Sequence, residues 1–159
     1  MNKEDNQPWR SASGDKIDLQ SILLQIEDHT CNLGKVYVGA DSQLSGESCT
    51  FATVICMHGG LKKTSRYFFK KEKVMSASNK VLRLRINQEV TRALKAFLVI
   101  IESIPDADIE VHVDIGSTDR SKTRVFVDSI TGWVRGLGVT CKIKPHAWAS
   151  ASVADRHTK

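Results

Sequence analysis

The chain has 159 residues, of which 41% are apolar and 26% charged, and its formal net charge is +5. These values are typical of one soluble globular domain, and they exclude a disordered chain or one that depends on disulfides. The first sixteen residues lack the apolar segment of a secretory signal, and the longest apolar run, Ala96 to Ile101, is too short to span a membrane. We therefore expect a cytoplasmic protein without membrane insertion.

Basic residues are concentrated in two parts of the chain. Residues 62–85 carry nine Lys and Arg residues against one acid, and residues 120–159 carry eight against two. Two basic tracts suit a polyanionic partner, although a solvated surface is the alternative. The four cysteines show no metal-binding spacing and are expected to be free thiols, mostly buried (Cys31, Cys49, Cys56 and Cys141).

The N-terminal segment 1–16 is polar and is predicted to be a flexible tail, with a folded domain over residues 17–159. That domain opens with a helix at about 18–28, for which Asp18 is a suitable N-cap. The following elements are predicted in the order β, β, β, α, β, α, β, α. Their ranges are 35–41, 51–58, 64–72, 80–103, 109–114, 121–137, 139–144 and 149–157.

The spacing of these elements predicts an α/β fold. Short glycine-containing links between the first three strands indicate antiparallel pairing, and the later strands are separated by helices that allow parallel pairing. We expect a five-stranded mixed sheet with helices on both faces.

Two aspartates follow strands of this predicted sheet. Asp41 closes the first strand and Asp114 closes the fourth. If these strands are parallel neighbours, both acids lie at the carboxyl edge, where open α/β sheets bind ligands. The alternative is that each acid only caps a strand end or forms a turn.

Glu89 is an acid on an otherwise apolar helix face, where an unpaired charge is costly. A salt bridge to Arg85 or Arg92 is the alternative explanation. Asp155 lies near the end of the last helix, where the macrodipole disfavours an acid unless a cation compensates it. A surface position on a frayed end is the alternative for Asp155.

Four clustered carboxylates would need a cation, because like charges repel and raise each other's pKa. Hard oxygen ligands suit Mg²⁺ or Mn²⁺, and a pair of such ions can promote hydrolysis of a phosphodiester. The basic tracts would then hold the flanking phosphates.

The order of elements and acids resembles ribonuclease H and, more narrowly, the bacterial YkuK family of predicted ribonuclease H-like proteins. The resemblance covers roughly residue 35 to the C-terminus and rests on four segments. They are VYVGADSQ (36–43), LRINQEV (84–90), VHVDIGSTDRSKT (111–123) and IKPHAWASASVADRHT (143–158). The chain departs from typical ribonucleases H at Ser42-Gln43, where Gly-Ser is usual, and it lacks the extra helix and basic handle of the common bacterial enzyme.

The resemblance implies a nuclease that uses two Mg²⁺ or Mn²⁺ ions on RNA, DNA or a hybrid. Asp41 would bridge the two ions, Asp114 and Asp155 would share them, and Glu89 would bind one. His157 would assist water activation or product release, unless it is only a solvated terminal residue. The alternatives are a non-catalytic nucleic-acid- or protein-binding module and a phosphohydrolase of small esters.

Further side chains are candidates for contacts with nucleic acid. Lys122 and Arg124 begin a helix next to Asp114, while Lys142 and Lys144 lie on the last predicted strand and could line a phosphate channel. Trp148 could stack on a base, with packing in the core as the alternative. His112 shares a strand face with Asp114, and it is either a neighbour of the acids or a core histidine.

Overall fold

Over residues 7–159, the hydrophobic pattern of the sequence forms seven strands and four α-helices. The computed structural model describes residues 7–159. The elements are β1 (Trp9–Ser11), β2 (Lys16–Ile17), α1 (Leu19–Cys31), β3 (Lys35–Ser45), β4 (Ser48–Gly59), β5 (Thr64–Met75), α2 (Leu82–Ser103), β6 (Ile109–Val113), α3 (Val127–Gly136), β7 (Thr140–Lys142) and α4 (Asp155–Thr158). Two 3₁₀ turns, Ala77–Lys80 and Arg124–Phe126, precede α2 and α3, and a π-helical turn, Ala149–Ala154, runs into α4.

All seven strands belong to one sheet in the order β2-β1-β5-β4-β3-β6-β7. The long hairpins β3–β4 and β4–β5 are antiparallel, as the short links predict. Gly46, at φ +62°, makes the tight two-residue turn between β3 and β4. Strand β6 pairs parallel to β3, and β7 pairs parallel to β6, so that α2 and α3 are crossover helices.

The prediction of an α/β fold with a mixed sheet is confirmed, but the prediction of five strands is wrong. Of the two additional strands, β1 lies in the segment predicted to be a flexible tail, and β2 spans the boundary between that segment and the predicted domain. Arg10 of β1 pairs with Phe69 of β5, and the Trp9 and Ile17 side chains pack against the main core. The polar composition of residues 1–16 concealed the strand around Trp9, and Ile17 lies just beyond that segment. Residues 1–6 of the predicted tail lie outside the described residues.

The two faces of the sheet are covered differently. Side chains of Val36, Val38 and Ala40 point to the face packed by α1, α2 and α3, called here the helical face. Their alternating neighbours Tyr37 and Gly39 point to the opposite face, which is packed by the segment 149–158 and is called the C-terminal face. The C-terminal face therefore has a much smaller apolar core than the helical face.

The C-terminal segment approaches the sheet at Gly39. A Cβ atom on Gly39 would lie 2.9 Å from the Ser150 backbone nitrogen and 3.2 Å from the Ala149 carbonyl carbon. Because these contacts are with backbone atoms, no side chain can turn away to make room. Glycine at this position of β3 is thus required by the docking of the segment that carries Asp155.

We predict that Gly39→Ala lowers the free energy of unfolding by about 1–3 kcal/mol, the usual cost of overpacking. Urea unfolding would measure it. Gly132→Ala in α3 is the matched control, since a Cβ atom there meets nothing within 4 Å. That substitution should instead stabilise the helix by up to about 1 kcal/mol. Wild-type stability of Gly39→Ala would contradict the close approach.

Candidate functional site

The four predicted acids meet where one flank of β3 is open. Strand β6 ends at Val113, opposite Ala40, whereas β3 continues to Ser45. Beyond Ala40, β3 therefore has β4 on one side and no strand from the described residues on the other. The expectation that Asp41 closes its strand is wrong, because Asp41 lies inside β3, paired with Ala52 of β4.

Each acid reaches this flank from a different element. Asp41 comes from β3 and Asp114 from the residue after β6, while Glu89 comes from α2 and Asp155 from the first turn of α4. The charges act on one another: Asp114 and Asp155 raise the pKa of Asp41, and Asp41 and Asp114 raise that of Glu89. The structure thus brings together all four acids, called here the carboxylate cluster.

Burial makes two of these acids weak. It raises the pKa of Asp41 to about 7, with the neighbouring carboxylates of Asp114 and Asp155 adding to the effect. Burial also raises the pKa of Glu89 to about 8, against the opposing effect of a hydrogen bond from the Ser42 hydroxyl. Taking these groups out of water disfavours their charged forms, and the like charges nearby disfavour them further.

The hydrogen bond from the Ser42 hydroxyl, and not a salt bridge, is the main contact of Glu89 on its otherwise apolar helix face. Arg92, one of its two predicted salt-bridge partners, pairs with Glu72 at 2.8 Å instead. Arg85 lowers the pKa of Glu89 only as a smaller, electrostatic contribution. Glu89 is therefore buried beside other acids and held by a hydroxyl group.

Two lysines partly neutralise the cluster. Lys144 Nζ lies 2.7 Å from Asp114 Oδ1, in an orientation that leaves this buried oxygen without a hydrogen bond. Lys159 Nζ lies 2.7 Å from Asp155 Oδ2. Both lysine side chains are at least half exposed, so an incoming cation could displace them at little cost.

A buried polar network fastens the segment that carries Asp155. The Ala149 backbone N–H donates to His112 Nδ1 at 3.0 Å, which leaves Nε2 as the protonated nitrogen of a neutral imidazole. His112 Nε2 in turn donates to Glu110 Oε1 at 3.0 Å, and Lys35 pairs with the other oxygen of Glu110 at 2.9 Å. Burial lowers the pKa of His112, which favours the neutral form. His112 is thus a core histidine, one of the two predicted alternatives.

Two other predicted site residues pack on the C-terminal face. The His157 ring stacks on Phe69 with centroids 3.7 Å apart, and its Nε2 lies 3.1 Å from the Tyr67 hydroxyl. The Trp148 ring lies 4.8 Å from the Tyr37 ring, which corresponds to the packing alternative. The structure places both rings in contacts that hold the C-terminal segment, and the chemical roles implied for them stay predictions.

The predicted nucleic-acid contacts lie in different surroundings. Lys144 is bound to Asp114, and Arg124 forms an ion pair with Asp119. Lys122 is exposed in the loop after β6, and Lys142 is exposed at the end of β7. Their roles in binding stay predictions.

Sequence reasoning missed the hydroxyl group that contacts Glu89 and the lysine that contacts Asp155. Ser42 follows Asp41 and therefore faces α2, a consequence of strand alternation that could have been read from the pattern. Lys159 lies four residues after Asp155, which is a common spacing for a helical ion pair. Neither residue type by itself signals a site.

Among residues 7–159, no group of three or more His, Cys, Asp or Glu side chains is arranged to hold a metal ion as it stands. The donor chemistry of the carboxylate cluster nevertheless fits a hard divalent cation. It consists of carboxylate oxygens, one of which, on Asp114, is buried without a hydrogen bond. Burial, with the neighbouring carboxylates, raises the pKa of Asp41 and of Glu89, and a bound cation would favour their ionised forms.

A cleft of about 1070 Å³ lies between α2 and the β1–β2 hairpin, and none of the four acids lines it. Its buried acid, Glu72, is already bound to Lys70 and Arg92, so the cleft offers no comparable group of neighbouring carboxylates. Within the described range 7–159, no helix is long and apolar enough to cross a membrane.

Comparison with known proteins identifies the family. The sequence model of the ribonuclease H-like family matches residues 19–159, nearly the whole folded region. The chain therefore belongs to the ribonuclease H-like family, as its resemblance predicted.

One curated relative is the uncharacterized protein YkuK of Bacillus subtilis (strain 168). The two are 37% identical over 54 residues, which are 34% of this chain and 30% of YkuK. The chain thus matches less than a third of the length of that relative. No solved structure matches the chain.

We predict that the protein without divalent ions is less stable at pH 8 than at pH 5, by about 2–4 kcal/mol from this site. A carboxyl group with a raised pKa in the folded state holds its proton more tightly there than in the unfolded chain. The stability that this proton provides is lost as the pH rises from about 4 towards the folded-state values of about 7 for Asp41 and 8 for Glu89.

Urea titrations in EDTA at both pH values would measure this loss, and Asp41→Asn should reduce it. Asp128→Asn, which removes an exposed acid of α3, should retain the wild-type difference. An equal pH dependence in wild type and Asp41→Asn would contradict the electrostatic strain at the cluster.

Proposed function

We propose that the protein is a metal-dependent nuclease that hydrolyses phosphodiester bonds of RNA or DNA. The observation that carries this proposal is the meeting of four acids from four elements at the open flank of β3. Membership of the ribonuclease H-like family supports a role with nucleic acid, and the net charge of +5 suits a polyanionic substrate.

In this proposal Asp41, Asp114, Asp155 and Glu89 hold two Mg²⁺ or Mn²⁺ ions. When bound, these ions supply the activation of water and the stabilisation of the leaving oxygen that phosphodiester hydrolysis needs. Asp41 has the central place, because it is the acid that interacts electrostatically with each of the other three.

The chain's own residues have three tasks in this reaction. Ser42 orients Glu89 through its hydroxyl hydrogen bond. Lys144 holds the charge of Asp114 before a cation arrives, and it becomes available to a phosphate oxygen once it is displaced. The contact between His112 and Ala149 keeps the segment bearing Asp155 against the sheet, which fixes the fourth acid.

A second candidate is a binding module of the same fold without catalysis. It is favoured by one observation, namely that within residues 7–159 no set of ligands stands ready for a metal ion. In that case Lys144 and Lys159 would be the permanent counter-ions of the acids. Such a module would bind nucleic acid with a strong dependence on salt and would need no divalent ion.

The deciding experiment is cleavage of a labelled panel of single-stranded RNA, single-stranded DNA, duplex, hybrid and four-way junction. We expect cleavage with Mg²⁺ or Mn²⁺ and none in EDTA. Asp41→Asn should lower the rate of cleavage by more than about 100-fold. Replacing a residue that only supports the metal ligands costs up to about 100-fold, and Asp41 is proposed to be a ligand itself.

Asp128→Asn is the control, because it removes one exposed acid remote in sequence from the cluster. Full activity of Asp41→Asn would contradict the nuclease proposal. Binding of metal without cleavage of any member of the panel would favour the binding module. Faster hydrolysis of an aryl phosphate than of any oligonucleotide would indicate a small ester as the substrate.

A further inference from the structure

The C-terminal face of the sheet is only partly covered. The segment 149–158 packs on it as far as the carboxylate cluster, and a polar cleft of about 540 Å³ lies beyond the end of α4. The side chains that matter for its chemistry are called here the basic groove. They are Gln43, Ser45, Thr50, Lys71, Lys73 and Lys159.

The strand register makes this groove continuous with the carboxylate cluster. Asp41 pairs with Ala52, which pairs with Lys71, so these three residues form one row across β3, β4 and β5. Neighbouring strands lie about 4.8 Å apart, which puts the Cα atom of Lys71 about 10 Å from that of Asp41. The next row on the same face, two residues further along, is Gln43, Thr50 and Lys73.

Two of the three lysines of β5, Lys71 and Lys73, have no ion-pair partner among the described residues. Lys71 and Lys73 are exposed and form no hydrogen bond or ion pair with another described residue. Lys70, which points to the opposite face, is instead bound to Glu72 at 3.3 Å. The acid that also lines this cleft, Glu72, is bound to Lys70 and Arg92, so Lys71 and Lys73 carry positive charge without an ion pair in the described part of the chain.

Protection of a sheet edge is the other explanation for lysines on β5, because β1 covers this strand only at Phe68 and Phe69. It does not explain the rest of the groove. Thr50 lies on β4, an inner strand, and at the same end of the sheet the helical face carries the buried Cys49 and Phe51. A polar surface three strands wide, opposite an apolar one, is better explained by a polar ligand.

We propose that the basic groove binds the phosphodiester backbone of the nucleic-acid strand that enters the carboxylate cluster. This inference rests on the proposed function and adds the path of the substrate. Lys71 and Lys73 offset phosphate charge, and the Gln43 amide and Thr50 hydroxyl donate hydrogen bonds to phosphate oxygens. The cations lie in successive rows, about 6.6 Å apart along the strand, which suits a chain of phosphates better than a single one.

The test is the salt dependence of binding by the double variant Lys71→Gln/Lys73→Gln. Fluorescence anisotropy would follow labelled single-stranded RNA and DNA oligonucleotides in EDTA, over a series of KCl concentrations. Each phosphate contact on a single strand contributes about 0.7 to the slope of log affinity against log salt. We expect the double variant to lose about 1.4 of the wild-type slope and to bind about 10-fold more weakly at low salt.

The matched control is Lys16→Gln/Lys63→Gln, which removes the same charge from two exposed positions outside the groove. It should retain the wild-type slope. Thermal unfolding of both double variants checks that they fold. An unchanged slope in Lys71→Gln/Lys73→Gln, an equal loss in the control, or absence of wild-type binding would overturn the groove.

Two further results distinguish the groove from a site for isolated phosphate esters and from the nuclease proposal. Displacement of the oligonucleotide by an equal concentration of a mononucleotide would show a site for isolated phosphate esters and would overturn the assignment of a strand. Because binding is measured without divalent ions, a loss of slope supports the groove even if no cleavage is found. Metal-dependent cleavage with an unchanged slope would keep the nuclease proposal and overturn the groove.

Discussion

The parallel pairing of β3 with β6 stops at Ala40 and Val113, and the site depends on this end point. Because β3 runs on to Ser45, its flank beyond Ala40 is open to elements from both faces of the sheet. Glu89 can reach it from the helical face and Asp155 from the C-terminal face, where continued pairing with β6 would have kept them apart. A local feature of strand pairing thus produces a cluster of acids that are distant in sequence.

This arrangement stores electrostatic strain. Asp41 and Glu89 are buried, and each is acted on by further carboxylates, so their charged forms are disfavoured at neutral pH. The Ser42 hydroxyl, Lys144 and Lys159 compensate only part of the charge. A fold selected for stability alone would not keep such a group of acids, and strain of this kind is typical of functional sites.

The C-terminal segment is held against the sheet by close backbone packing, one hydrogen bond and two ring contacts. Gly39 allows its backbone to touch β3, and His112 accepts the Ala149 N–H. His157 stacks on Phe69, and Trp148 lies against Tyr37. Histidine and tryptophan near an acid suggest catalysis and base stacking; the contacts of both rings with the sheet hold the segment, and those chemical roles stay predictions. Lys71 and Lys73, which form no ion pair with another described residue, lie on β5 within the first basic tract of the sequence.

The sequence by itself determined the order and type of the main elements and the identity of the four acids. Strand alternation, helical periodicity and an acid on an apolar face are local patterns, and they depend only on backbone geometry. The resemblance in four segments added the family.

Only the tertiary structure decided the remainder. The added strands β1 and β2 form because the Trp9 and Ile17 side chains pack against a core that residues elsewhere in the chain provide. Whether Lys144 faces a phosphate or Asp114, and whether Lys71 is paired, depends on which strands are neighbours and which face is covered. Contacts between distant segments decide these points, and no local pattern encodes them.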